Sequence, residues 1–134
     1  MGSVVGMERW LVDGMNVIGS RPDGWWRDLD AAVARLARCL AAWAAAEGHE
    51  VTVVFDGRPP PELDEVDLGG LKVAFAGKGR SADDEIVRRV GIDPDAGSLR
   101  VVTSDRLLAD RVRAAGAGEV VGAGGFRRML DRYC

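Results

Sequence analysis

Four times along this chain a short apolar run meets acidic residues, and helix-length stretches lie between most of them. The first is Arg9-Trp-Leu-Val-Asp-Gly-Met-Asn16 and the second Val51-Thr-Val-Val-Phe-Asp56. The third, Ser81-Ala-Asp-Asp84, opens an amphipathic stretch, and the fourth is Val101-Val-Thr-Ser-Asp105. Runs of β-branched and apolar residues without polar alternation mark strands buried on both faces. Such strands, alternating with helices, pair in parallel through right-handed crossovers. The expectation is an α/β fold, a three-layer α/β/α Rossmann-like arrangement around a mainly parallel sheet. In open sheets of this kind ligands bind in the crevice beyond the carboxyl ends of the strands. All four acidic stretches would open there.

The 134 residues suffice for one packed domain, expected over 9–134 behind a lead-in at 1–8. Strands are expected at Arg9–Val12, Val51–Phe55, Leu71–Ala76, Leu99–Thr103 and, at an edge, Glu119–Val121. Helices are expected from Asp28 to Glu47, from Ser81 to Gly91, over Ser104–Ala115 and over Phe126–Tyr133. The first helix carries Leu29, Val33, Leu36, Leu40 and Trp43 at helical spacing and meets Gly48 as its stop. Residues 17–24 read as a loop, and the acidic, proline-led stretch that follows Asp56 reads as a mobile loop or a short irregular excursion up to Gly70. Trp25 and Trp26 suit packing against the next helix or the edge of a site. His49, the only histidine, falls in a helix-to-strand turn and is expected at the surface.

Cys39 and Cys134 fit neither a metal spacing nor a small disulfide framework, so a reducing cytoplasm is the expected location. Cys39 reads as a small buried hydrophobe. No apolar run approaches the roughly 18–20 residues that cross a bilayer. The first residues lack the basic region and apolar core of a signal peptide. Net charge is −3, but residues 57–70 alone sum to −3, so the remainder is neutral. Arginines crowd residues 80–113. For Arg88, Arg89, Arg111 and Arg113 a solvated helix face is the better reading.

Carboxylates gathered in one crevice repel one another unless a cation sits among them. Oxygen ligands suit Mg²⁺ or Mn²⁺, and Mg²⁺ takes few carboxylates together with waters and substrate phosphates. Such an ion activates water and stabilises the departing oxygen of a phosphodiester. The residues therefore point to metal-dependent phosphoryl chemistry. Asp13, Asp56, Asp83 and Asp105 are the candidate metal ligands, and Asp84 is a further candidate catalytic acid. Each also has a structural reading. Asp13 and Asp56 precede glycines and suit turns; Ser81 with Asp84 matches a capping box; Asp83 and Asp105 suit first helical turns. Asn16 suits water or phosphate contact, or an Asx-turn. Arg58, Lys78 and Arg80 stand where a nucleic-acid backbone would pass. Ser104 suits phosphate contact or a helix cap.

Taken together, Leu-Val-Asp13-Gly-Met-Asn16, Phe-Asp56-Gly-Arg-Pro, Ser-Ala-Asp83-Asp84 and Thr-Ser-Asp105 resemble the NYN family of PIN-like nucleases, closest to its YacP-like branch. The resemblance spans nearly the whole chain. The Phe-Asp-Gly-Arg-Pro stretch is also similar to a motif of flap-type 5′ nucleases. The resemblance implies a PIN-like fold and Mg²⁺- or Mn²⁺-dependent endoribonuclease activity on RNA, and for this branch an association with the ribosome. By position it implies Asp13, Asp83 and Asp105 as central metal-binding acids, Asp56 as a supporting acid and Asn16 as the amide of the first motif. One departure stands out. Related sequences often carry Glu-Thr-Ala-Asp where this chain has Arg80-Ser-Ala-Asp83, with Asp84 the available substitute for the lost acid.

The rival reading is the same fold kept as an RNA- or ribosome-binding module without turnover, which Arg80 favours. A phosphatase or phosphoacceptor of the haloacid-dehalogenase or receiver kind fits poorly. The first wants an acid where Met15 stands; the second wants a paired acid and a late lysine that are absent.

Overall fold

The computed structural model describes residues 7–134, so most of the expected lead-in lies outside the described residues. Five strands form one parallel sheet: β1 (Arg9–Asp13), β2 (Glu50–Phe55), β3 (Lys72–Phe75), β4 (Leu99–Val102) and β5 (Glu119–Val121), in the order β3-β2-β1-β4-β5. β1 lies central, with Val12 level with Val53 on one side and Val102 on the other. The helices are α1 (Gly14–Ile18), α2 (Leu29–Glu47), α3 (Ala82–Ile92), α4 (Arg106–Ala114) and α5 (Ala123–Leu130).

Because side chains alternate across a strand, the sheet feeds two cores. Trp10, Val12, Val51, Val53 and Phe55 pack with Leu36, Leu40, Trp43 and Phe126 of α2 and α5. Leu11, Val54 and Val101 pack on the other face with Ile86, Val90, Leu108 and Val112 of α3 and α4. The result is the expected three-layer α/β/α arrangement. No described helix is long and apolar enough to cross a membrane.

Helix ends follow local chemistry. Asp28 accepts the Ala31 N–H at the start of α2, and Gly48 closes it at φ 71°. Ser81 accepts the Asp84 N–H and Asp105 accepts the Leu108 N–H at the starts of α3 and α4. Arg88 and Arg89 both pair with Glu85, Arg111 with Asp84 and Arg113 with Asp110, so these arginines decorate helix faces as expected.

Several expectations need correction. Part of the loop expected at 17–24 belongs to a helix: α1 begins directly after β1 and buries Val17 and Ile18. Of the two readings of the stretch after Asp56, the mobile loop gives way to the short excursion: Pro61–Glu65 forms a 3-10 turn that buries Leu63 in the α2-side core. The last helix starts at Ala123 instead of Phe126 and gives way to a 3-10 turn at Asp131–Tyr133. Leu29, the first residue of the α2 stripe, is exposed, while the other four stripe residues are buried. His49 is not at the surface. Its side chain is 9% exposed, its ring packs edge-on to Trp43 at 5.1 Å, and Nδ1 accepts the Glu8 N–H at 3.1 Å. The turn before β2 folds down onto the Trp10–Trp43 pair and takes His49 with it.

The expectation of unpaired cysteines, with Cys39 a mere buried hydrophobe, is also overturned: Cys39 and Cys134 form a disulfide, their Cα atoms 4.8 Å apart across a sequence separation of 95. The turn after α5 lies against α2 and brings them together. Tyr133 adds a hydroxyl hydrogen bond to Glu47 at 2.6 Å.

Candidate active site

Strand parity assembles the site. Asp13 closes β1 on the same face as Leu11, the face covered by α3 and α4. Two residues beyond Val54 and two beyond Val101, Asp56 and Thr103 continue that face past the ends of β2 and β4. α3 brings Asp83 in its first turn, and Asp105 caps α4. The chain leaves β1 toward β2 on one side and returns at β4 on the other, so the crevice between β1 and β4 is the switch point at which such sheets bind ligands.

Asp13 is the hub. It is 4% exposed, and burial pushes its carboxyl up to about 6. The Thr103 hydroxyl, which donates to Oδ2 at 2.9 Å, works against that rise, as does the Asn16 N–H; the charges of Asp83 and Asp105 add to it. Asp83 is likewise pushed up, first by burial, then by Asp105 and Asp56. Asp13, Asp83 and Asp105 thus lie within each other's electrostatic reach, and Asp56 within reach of Asp83.

Their individual engagements differ. Asp56, exposed, accepts the Ala82 N–H at 2.8 Å and so fixes the start of α3. Asp105 accepts the Leu108 N–H, while its own N–H donates to Thr103 Oγ1 at 3.1 Å. Asp84 points outward to Arg111 at 2.9 Å, which holds its carboxyl below the ordinary range. Asn16 makes no Asx-turn; its Oδ1 accepts the Ser104 N–H at 2.6 Å across the crevice. Ser104 Oγ in turn accepts the Ala123 N–H at 2.8 Å, so α1, the β4–α4 loop and α5 are tied in series. Arg58, Lys78 and Arg80 are exposed. Their loops are joined by the Gly77 N–H to the Gly57 carbonyl at 3.3 Å, which puts Arg58 and Lys78 on one rim.

Thr103 escaped the sequence reading, which named Ser104 beside it. The signal was available: a threonine ending a buried apolar strand, two residues beyond Val101, must face the same way and find a partner for its hydroxyl. Two hollows open on the site. One is lined by Asn16, Ser104 and Gly124, the other by Thr103, Asp105, Arg106 and Arg113. Arg106 and Arg113, the latter expected on a solvated helix face, were not among the candidate site residues.

Among the described residues no three His, Cys, Asp or Glu side chains stand, as placed, close enough to chelate an ion together. The chemistry of the donor set nevertheless fits a hard divalent cation. A buried carboxylate burdened by two like charges is stabilised by one, and Mg²⁺ fills its shell largely with water.

A family model described as the YacP-like NYN domain matches residues 10–133. No functionally curated protein matches the sequence. Two crystal structures of Rae1 (YacP) from Bacillus subtilis, one of them of a mutant, superpose with a TM-score of 0.75 at 25% identity. The alignments cover 95% of this chain and 77% of the mutant's chain, or 75% of the other. The NYN domain is a nuclease domain, so a ribonuclease-type function related to RNA follows at that level. A domain matched from β1 to the last turn, on the fold of those structures, identifies the chain as a member of the YacP-like NYN family.

Proposed function

We propose that the protein is a metal-dependent endoribonuclease that works in the cytoplasm, with RNA as its substrate and the ribosome as an associated partner. The observation that carries this reading is the buried Asp13 carboxyl, strained by Asp83 and Asp105 across the switch point. Asp13, Asp83 and Asp105 would hold Mg²⁺ or Mn²⁺, with Asp56 in support; once bound, the ion supplies charge neutralisation and activates water for attack on phosphorus. Thr103 orients the Asp13 carboxylate with its hydroxyl hydrogen and holds the Asp105 backbone by accepting its N–H. Asn16 and Ser104 hold the far wall of the crevice in register. Arg58, Lys78 and Arg80 grip the sugar–phosphate backbone from the exposed rim. Asp84, turned to Arg111, is the outermost acid, and we assign it a water-orienting role. In-line displacement at this site leaves a 5′-phosphate and a 3′-hydroxyl.

Labelled RNA incubated with Mn²⁺ tests the reading. The wild type is expected to cut it, and Asp13→Asn to lose at least a hundredfold in rate. Equal cleavage by both would remove the acids from the chemistry. Arg80 in the place of an acid favours a second reading, an RNA- or ribosome-binding module that does not turn over. Salt-sensitive RNA binding without any metal-dependent cleavage would select it.

A further inference from the structure

A cavity of about 240 Å³ lies between α2, the segment after α1 and the end of α5, outside the acid cluster. Its floor is apolar, built from Ile18, Leu36 and Leu130, and the half-buried Trp25 forms an aromatic wall. Three arginines stand at its rim. Arg21 pairs with Asp131, one bond being 2.9 Å, and Arg127 donates to Asp23 at 3.2 Å. Arg35 is exposed and has no ion pair among the described residues.

The cavity and the hollow beside Asn16 and Ser104 are bordered by the same two elements. Gly19 lines the hollow beside Asn16 and Ser104, and a Cβ placed on it would lie 3.9 Å from the Trp25 ring. α5 carries Ala123 and Gly124 into that hollow and Arg127 and Leu130 into the cavity. The rise of the helix separates Gly124 from Leu130 by roughly 9 Å. A strand lying in the hollow beside Asn16 and Ser104 thus has a second recess about one nucleotide further along α5.

The lining matches the chemistry of a base. A nucleobase offers a flat π face for stacking on an aromatic ring and a polar edge for donors and acceptors, with an anionic phosphate beside it. Here an indole, arginine donors and aspartate acceptors surround an apolar slot. A purely apolar ligand would leave that charged rim unused. A base held in a duplex cannot enter.

We propose that this cavity receives an unpaired base of the RNA strand flanking the scissile phosphate. Trp25 stacks on the base and Arg35 contacts its phosphate, so the recess selects single-stranded substrate. The inference rests on the ribonuclease reading for its choice of RNA, but not on catalysis.

The test uses the full chain without divalent ions, so that RNA stays intact. Adenosine 5′-monophosphate is titrated while the indole N–H of Trp25 is followed by NMR, assigned by its loss in Trp25→Phe. The signal is expected to shift saturably, and Ala32→Met, which fills the floor, to abolish the shift. In anisotropy measurements with a short labelled single-stranded RNA, Trp25→Ala is expected to weaken binding roughly tenfold, the scale of one base–aromatic stack. Trp25→Phe restores most of it, and affinity for duplex RNA does not change. Arg35→Ala, on an exposed helix face and safe for folding, is expected to reduce the salt slope of binding by about one. An unmoved indole, or single-stranded affinity unchanged in both Trp25→Ala and Arg35→Ala, overturns the proposal. Failure of wild-type cleavage would sink the nuclease reading while leaving these measurements intact; normal cleavage with flat binding data sinks the recess alone.

Discussion

Thr103 serves two neighbours through one hydroxyl: its hydrogen goes to Asp13, and its oxygen takes the Asp105 N–H. Thr103→Val keeps the shape and removes both bonds, which leaves a buried carboxylate and an N–H with lost partners. A cost of about 1–3 kcal/mol is expected. The hydroxyl also holds the Asp13 carboxyl down, so its loss should move the acid limb of the pH–rate profile to higher pH. Thr103→Ser should restore both properties, and an unmoved limb in the valine variant would separate Thr103 from the chemistry. Asp13 itself makes stability depend on pH. Its folded carboxyl titrates at about 6, above the ordinary 3.8, so the folded state binds the proton more tightly than the unfolded one. Stability from this group is therefore complete below about pH 4 and is lost as pH rises through 6, by at most about 3 kcal/mol. Asp13→Asn removes the buried charge. Urea unfolding should find it more stable than wild type at pH 8, with the gap closing toward pH 4. Adding Mn²⁺ at pH 8 should raise wild-type stability and leave the variant unmoved. A gap that does not vary with pH would refute the buried-charge account.

The junction of β1 and α1 sets where that carboxylate stands. Gly14 follows Asp13 against β2, and a Cβ there would fall 2.4 Å from the Phe55 ring. Phe55 is fully buried, so it cannot yield cheaply. Gly14→Ala is expected to cost about 1–3 kcal/mol by overpacking. It should also lower cleavage beyond what stability explains, because it pushes Asp13 away from the crevice; calorimetry and turnover on one sample would check both. The elements on either side of this junction were legible to different degrees. β1, β2 and β4 announce themselves as buried apolar runs, and α2 by its stripe and its closing glycine. α1 did not. At five residues it is too short to show a period and, by itself, too short to be stable, so only the packing of Val17 and Ile18 makes it a helix. Pro61–Glu65 hid in the same way: the three prolines and four acids of residues 57–70 read as loop, and Leu63, which pins the stretch to the core, is one residue without a pattern. In the site, the carboxylates were legible because each ends a strand or opens a helix. Thr103 was not singled out because a β-branched residue at a strand end looks like more strand.

At the scale of the whole molecule the chain closes on itself at a place that local patterns do not mark. Cys39 lies mid-helix on α2 and Cys134 ends the chain, and nothing in their spacing marks a pair. They meet because the turn after α5 crosses α2, a consequence of topology. That closure bears on function, since α5 also begins at the site, where Ala123 donates to Ser104, and forms one wall of the Trp25 cavity. The bond would tie down the far end of the element whose near end supports the crevice. Closing a loop of this length restricts the unfolded chain and is expected to stabilise the protein by about 2–4 kcal/mol. In a cytoplasm rich in thiols the pair would be held largely reduced, so the proposed setting would call mostly on the unbridged form. Thermal unfolding of wild type with and without dithiothreitol, set against Cys39→Ser, separates the contributions. Oxidised wild type should melt highest, while reduced wild type and Cys39→Ser should nearly coincide. Coincidence of all three would mean that packing of the turn after α5, with its Tyr133–Glu47 hydrogen bond, holds that end without help from the sulfurs.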